Sequence, residues 1–180
     1  TLTQIAPATA KQAGMQLVYE FTGSLAQPDY TSACQAAQSA KAQVVLFAFD
    51  PNSAARMQQS CASVGYHPSY TTGGPVVNAT VLQNPNFNGL LDTSVVMPPT
   101  ANVPGAASFR STMAQYSPGI ATDGAAMTGW VSAQLFAAAA ANSPDPTTSQ
   151  GILQGLWKLK NFDAGGLTAP LTFQEGQDAP

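Results

Sequence analysis

The sequence predicts an α/β fold, a doubly wound and mainly parallel sheet with helices on both faces, and three observations lead there. Helix-period segments alternate with short apolar runs along the chain. One run, Val44-Val45-Leu46-Phe47-Ala48-Phe49, is uninterrupted, the pattern of a strand buried on both faces of a parallel sheet. Successive strand-then-helix units precede residue 75, and that succession favours parallel strands. With 180 residues and 44% hydrophobic content the chain can bury a core, so a single domain over residues 1–180 is expected.

In order along the chain, residues 3–13 read as a helix closed by Gly14, and residues 16–20 as a strand. Asp29 is placed to cap a helix running to about Ala42, ahead of the apolar strand at 44–49. Asn52 or Ser53 caps a further helix to about Val64, with Gly65 at its end, and residues 69–72 form a short strand before Gly73-Gly74-Pro75. Further on, residues 90–97 read as a strand, and residues 105–116, 123–141 and 147–159 as helices. The tail from 165 to 173 reads as extended. Trp130 and Trp157 sit among apolar helix neighbours and are expected to pack in the core.

Only 8% of residues are charged and the formal charge is -3, so no basic field exists to hold nucleic acid. Solubility must come from uncharged Gln, Ser, Thr and Asn, a habit that suits an exported protein. No apolar stretch approaches the ~20 residues of a membrane span. The longest candidate, residues 135–141, is mostly alanine and stops at Asn142-Ser143-Pro144. Thr1-Leu2-Thr3-Gln4 lacks the basic start and apolar centre of a signal peptide, which says nothing about export.

The ingredients of catalysis are sparse. Cys34 shares an apolar helix stripe with Tyr30 and Ala37, and Cys61 shares one with Ala54, Met57 and Val64, so both point inward. His67, in Tyr66-His67-Pro68, is read as a turn residue. One His and two distant Cys do not make a zinc site, and no phosphate-binding loop occurs, so neither an enzyme nor a cofactor is expected. The cysteines have another use. Right-handed crossovers moving one way along the sheet would set the helices at 30–41 and 53–64 side by side, so their inner stripes converge. A Cys34–Cys61 disulfide is therefore expected, the alternative being two buried free thiols.

Ligands of open α/β sheets gather outside the carboxyl ends of the strands. Three loops occupy such ends: Asp50-Pro51-Asn52-Ser53, Thr72-Gly73-Gly74-Pro75 and Met97-Pro98-Pro99. Candidate ligand contacts are Asp50, Asn52, Gly73 and Gly74 in a shallow pocket, with Asp123 at the start of the long helix. Asp50 and Asp123 read equally well as helix caps, and the glycines as a tight turn. No basic residue is expected near these loops, so an anionic ligand would need backbone N–H groups or the other lobe.

The series Ser24-Leu25-Ala26-Gln27-Pro28-Asp29-Tyr30-Thr31, Ala42-Gln43-Val44-Val45 with a loop at Asp50, and Gly65-Tyr66-His67-Pro68 resembles the second lobe of ABC substrate-binding proteins. The branched-chain amino acid type, with its type I periplasmic binding protein fold, is the one resembled. The closing run from Leu159-Lys160-Asn161-Phe162 to Pro170-Leu171-Thr172-Phe173 is similar to the segment with which such proteins leave that lobe. The resemblance implies two lobes joined by a hinge, a small-molecule ligand clamped between them, and an ABC transporter permease as partner. Its location would be extracytoplasmic, in the periplasm or at the cell surface, with a lipoprotein form conceivable. Amino-acid-binding relatives often carry an acidic residue where this chain has Gly73-Gly74, so an aromatic or amide solute fits as well as an α-amino acid. A membrane-receptor sensory domain and a sugar-responsive repressor core are rival uses of such a fold.

The same resemblance implies that the lobe lacks its first strand and the preceding first lobe. In the family topology that strand lies between those at 16–20 and 44–49. Its loss is expected to leave a gap, to force those two edges together, or to invite an N-terminal segment or a second chain into a dimer.

Overall fold

The computed structural model describes residues 2–73 and 76–177. The chain divides into two compact units, residues 1–72 with 80–92 and residues 73–79 with 93–180.

In the first unit, helix α1 (Leu2–Gln12) is closed by Gly14, whose φ of 71° is the left-handed geometry glycine adopts without a Cβ clash. Helix α2 (Thr31–Ser39) is shorter than its sequence pattern. Tyr30 takes the N-cap position and Asp29 accepts from the Thr31 N–H just outside. The other end stops early because Lys41 turns left-handed at φ 57°. Strand β1 (Val44–Leu46) leads to α3 (Pro51–Ser63) and β2 (Ser69–Gly73), and the helix α4 (Ala79–Leu82) and a 3-10 turn at Pro85–Phe87 precede β3 (Leu91–Thr93). The strand order is β1-β2-β3. β1 and β2 run parallel, with Val44, Val45 and Leu46 opposite Ser69, Tyr70 and Thr71.

The core of this unit is aromatic. Phe47 stacks on Tyr70 at 5.0 Å between ring centroids, and Phe87 meets both edge-on at 5.7 Å. Tyr30, fully buried, stacks on Phe49 at 5.6 Å and sends its hydroxyl to the Ser24 carbonyl. Helices α2 and α3 pack side by side, and Cys34 and Cys61 are joined by a disulfide across them, with Cα atoms 5.0 Å apart.

Several expectations give way here. Residues 16–20 are not a strand, since nothing among the described residues pairs with them, and Leu17 and Val18 are about 40% exposed. The apolar run at 44–49 forms only a three-residue strand, and it is not buried on both faces: Val44, Leu46 and Ala48 are exposed while Phe47 is buried. Its even-numbered side has no cover among the described residues, so hydrophobic composition alone did not secure burial. Likewise the strand expected at 90–97 is limited to Leu91–Thr93.

The second unit holds α5 (Pro104–Tyr116), α6 (Gly124–Ala141) and α7 (Ser149–Trp157). Its core is Val96, Ala106, Phe109, Met127, Val131 and Leu167, with Trp130 packed against it and edge-on to Phe109 at 5.8 Å. Trp130 and Trp157 are both only partly buried. The tail at 165–173 is not simply extended. Residues 164–167 turn, with Ala164 and Gly165 left-handed, so that Phe162 and Leu171 meet in an antiparallel bridge.

Candidate ligand-binding site

Asp50 stands where the chain leaves β1 and enters α3. Its own backbone is extended (φ -66°, ψ 159°), and Pro51, which lacks an N–H and holds a helical φ, makes the first helical residue. One Asp50 carboxylate oxygen accepts from the backbone N–H groups of Asn52 (3.0 Å) and Ser53 (3.2 Å), and the other accepts the Ser53 hydroxyl. The carboxyl is held below its usual value, chiefly by the Ser53 hydroxyl against some desolvation, with help from the two N–H groups and the Arg56 charge. Asp50, not Asn52 or Ser53, is thus the cap of α3.

Arg56 is the residue that sequence reasoning missed. Its guanidinium donates to the Leu25 carbonyl (2.7 Å), the Gln27 carbonyl (3.3 Å) and the Ser53 hydroxyl (2.9 Å), tying the 24–29 loop to α3. A cation therefore does stand beside this loop, which corrects the expectation of none. The signal was present as Asp50, Ser53 and Arg56 at intervals of three, the spacing that stacks side chains on one helix face.

The other candidates are distributed as follows. Asn52 is exposed and its side chain makes no hydrogen bond among the described residues. Gly73 is the last residue of β2, and a Cβ there would meet only the Thr93 carbonyl at 3.8 Å, an ordinary contact, so neither a left-handed turn nor a close approach requires glycine. Gly74 lies outside the described residues. Asp123 belongs to the second unit and caps α6, accepting from the Ala126 N–H at 3.0 Å. In the 97–99 loop, Met97 donates to the Leu167 carbonyl at 2.7 Å, and Arg110 donates to the carbonyls of Pro99 and Ala101. Asp50 and Asn52 are thus brought together at one helix start.

A cavity of about 240 Å³ does occur in the first unit, and none of the described candidates, Asp50, Asn52, Gly73 and Asp123, lines it. It lies between residues 17–21 and β1, over Cys34, Met57 and Cys61. Among the described residues no three His, Cys, Asp or Glu side chains cluster as a metal site would need, and no helix is long and apolar enough to cross a membrane. His67 is exposed in the loop before β2. What the Asp50 loop holds is a fixed carboxylate, two oriented N–H groups already in use, the Ser53 hydroxyl and a neighbouring guanidinium.

The cap has a measurable consequence. Asp50→Ala is expected to cost about 1 kcal/mol in urea denaturation at neutral pH, and Asp50→Asn much less, because Asn caps nearly as well. A carboxyl whose folded-state value is depressed stabilises above its unfolded value near 3.8 and loses that contribution as pH falls through the lower folded value. The gap between the wild-type chain and Asp50→Ala should therefore close in acid. A gap that stays constant down to the acid transition would show that the carboxylate charge is not what stabilises.

A family model described as a periplasmic binding protein matches residues 2–179. No curated protein matches significantly. Among solved structures, the chain is similar to a fatty acid ABC transporter substrate-binding protein from Thermomonospora curvata, at 20% identity and a TM-score of 0.79 over 95% of this chain and 45% of that one. It is also similar to a leucine-binding protein from Thermotoga maritima, at 18% identity and a TM-score of 0.76 over 99% of this chain and 50% of that one. A branched-chain amino acid ABC transporter protein from Thermus thermophilus with bound valine gives 14% identity and a TM-score of 0.72 over 96% of this chain and 49% of that one. The chain spans about half the length of each. At these identities the structures establish a shared type I periplasmic binding protein fold, and with the family model matched over nearly every residue, the chain belongs to the periplasmic binding proteins.

Proposed function

We propose that this chain is the second lobe of an extracytoplasmic solute-binding component of an ABC importer, and that it presents the Asp50 loop to a small molecule held against a partner lobe. The observation that carries the reading is a polar loop at the carboxyl end of a parallel β1–β2 pair, in a family member that spans half the length of ABC transporter substrate-binding structures. Ligands of open α/β sheets collect at that edge. The Cys34–Cys61 disulfide supports an oxidising compartment and disfavours a cytoplasmic repressor. Delivery to a permease, and not turnover, is the activity of such a component.

Asp50 and Asn52 are the proposed ligand contacts, with Gly73, Gly74 and Asp123 as further candidates. Neighbours of this fold carry names that span fatty acid, leucine and valine, so ligand chemistry varies widely on it. An uncharged or zwitterionic solute of the amino-acid, aromatic or amide class suits a surface that holds one carboxylate and one guanidinium side by side.

Calorimetry with leucine, valine, phenylalanine, benzoate, benzamide and dodecanoate tests this, on the 180-residue chain and on a two-lobed protein that contains it. The two-lobed form should bind at least one of them, and the chain alone should bind that solute about 100-fold more weakly or worse, because half of the contacts and the closing hinge are absent. Equal affinities would show that the chain is a complete binding domain. In the two-lobed form Asp50→Asn keeps the helix cap but removes the charge, so unchanged affinity for this variant would return Asp50 to a purely structural role.

A further inference from the structure

The second unit has a cavity of its own, of about 520 Å³, bounded by the start of α5, by α6 and by the turn at 161–165. Trp130 of α6 packs edge-on against Phe109 at 5.8 Å, which holds the indole in place and leaves it partly exposed to the cavity. Ser108, Gln134, Asn161 and Asp163 are exposed polar residues of the same lining. Among the described residues the side chains of Ser108, Gln134 and Asn161 and the indole N–H of Trp130 make no hydrogen bond. Asp163 uses one carboxylate oxygen, on the Gly165 N–H at 3.0 Å, and the other is free.

The walls are held together without a ligand. Gly105 N–H donates to the Gly165 carbonyl at 2.9 Å, Leu167 N–H to the Asp163 carbonyl at 2.8 Å, and Phe162 pairs with Leu171. A Cβ on Gly105 would lie 2.3 Å from the Ala164 carbonyl oxygen, so α5 and the turn are in direct contact. This arrangement has a conformational cost. Among the described residues three other than glycine have left-handed backbone, and two of them, Asn161 (φ 54°) and Ala164 (φ 50°), line this cavity. Alanine has no polar side chain to offset that geometry, and backbone strain of this kind gathers at ligand-binding positions.

We propose that this groove binds a neutral saccharide, with a sugar ring stacked on Trp130 and its hydroxyls bonded to the Ser108, Gln134, Asn161 and Asp163 side chains. Asp163 is the only charge in the lining, so an anion meets repulsion and no counter-charge. The start of α5 does not rescue an anion, because Pro104 has no N–H and that of Gly105 is already given to Gly165. A simple ammonium ion would gain Asp163 but face the positive end of α5 and leave the amides without a use. Sugar hydroxyls both donate and accept, as the hydroxyl and carboxamide groups of the wall do, and an ionised carboxylate strengthens the bonds it receives. The C–H face of the ring gives the indole an apolar surface to cover. The site lies within the second unit and does not rest on the ligand reading of the Asp50 loop.

The test titrates D-glucose, D-galactose and maltose into the isotope-labelled 180-residue chain, with cyclohexanol and choline as comparisons, and follows amide and indole resonances by NMR. At least one saccharide should shift the Trp130 indole N–H and the amides of Ser108, Gln134 and residues 161–165 saturably, with the millimolar dissociation constant of an open groove, while the Trp157 indole stays in place. Asp163→Asn keeps an acceptor for the Gly165 N–H and removes the charge, and Gln134→Ala removes an exposed amide from a helix that alanine suits. Both variants should keep the melting temperature and bind about 10-fold more weakly. Unmoved groove resonances with all three sugars overturn the proposal. So does a cyclohexanol response equal to the sugar response, which reduces the groove to an apolar patch, a tighter choline response, which makes it a cation site, or full affinity in both variants.

Discussion

Replacing Cys34 and Cys61 together by alanine is expected to destabilise the chain by about 3 kcal/mol, and reductant should lower the wild-type chain to a similar level. The bridge closes a loop across 27 residues, and a loop of that size restricts the unfolded ensemble by roughly this amount in the chain-entropy account. Both residues are essentially fully buried between α2 and α3, so the alanine pair also loses packed sulfur, and the variant should fall slightly below the reduced wild type. Each single substitution leaves one thiol in a buried apolar site and should be close to the double variant, because the two cysteines act as one unit. Urea denaturation of oxidised, reduced and double-variant protein separates these effects. A double variant as stable as the oxidised chain would mean that the bridge merely records the proximity of two helices already held by their aromatic neighbours.

The disulfide was legible in the sequence because Cys34 and Cys61 lie on the inner stripes of two helices expected side by side, although only α3 connects two paired strands. Helix ends marked by Gly14 and Gly65 were legible for a local reason, the positive φ that each adopts. The start of α3 was misread by two or three residues. Asn52 and Ser53 are good capping types, but proline at the first helical position assigns the cap to the residue before it, and that rule outranks capping preference here.

Strands were the weak point, since a strand exists through its partners. Among the described residues, 16–20 have the right composition and nothing to pair with, and the apolar run at 44–49 lacks cover on one side. The polar site divides in the same way. Asp50 was found because it follows an apolar run directly, whereas the role of Arg56 depends on carbonyls at Leu25 and Gln27, about 30 positions earlier, and no local pattern announces them. Gly73 looked like a turn residue, yet it closes β2 with a backbone any residue could adopt.

Two glycine-to-alanine substitutions in adjoining helices should move stability in opposite directions. α6 and α7 pack closely in the second unit, and a Cβ built on Gly155 would lie 2.0 Å from the Ala139 carbonyl oxygen and 2.9 Å from the Ser143 nitrogen. Those atoms are backbone, so they cannot rotate away as a side-chain tip would, and the helices must separate. Alanine is favoured over glycine in a helix by about 1 kcal/mol, but separating a close-packed pair costs more, so Gly155→Ala is expected to destabilise by about 3 kcal/mol net. Gly151, where the same atom would lie 1.8 Å from the Asp145 carbonyl oxygen, should behave alike. Gly129 in α6 has nothing within 4 Å of its Cβ position and a φ outside the left-handed range, so there the helix preference acts alone. Gly129→Ala should stabilise by about 0.5–1 kcal/mol. Urea denaturation of the two single variants reads both signs, and a neutral Gly155→Ala would mean that α6 and α7 stand farther apart in solution than a glycine contact requires.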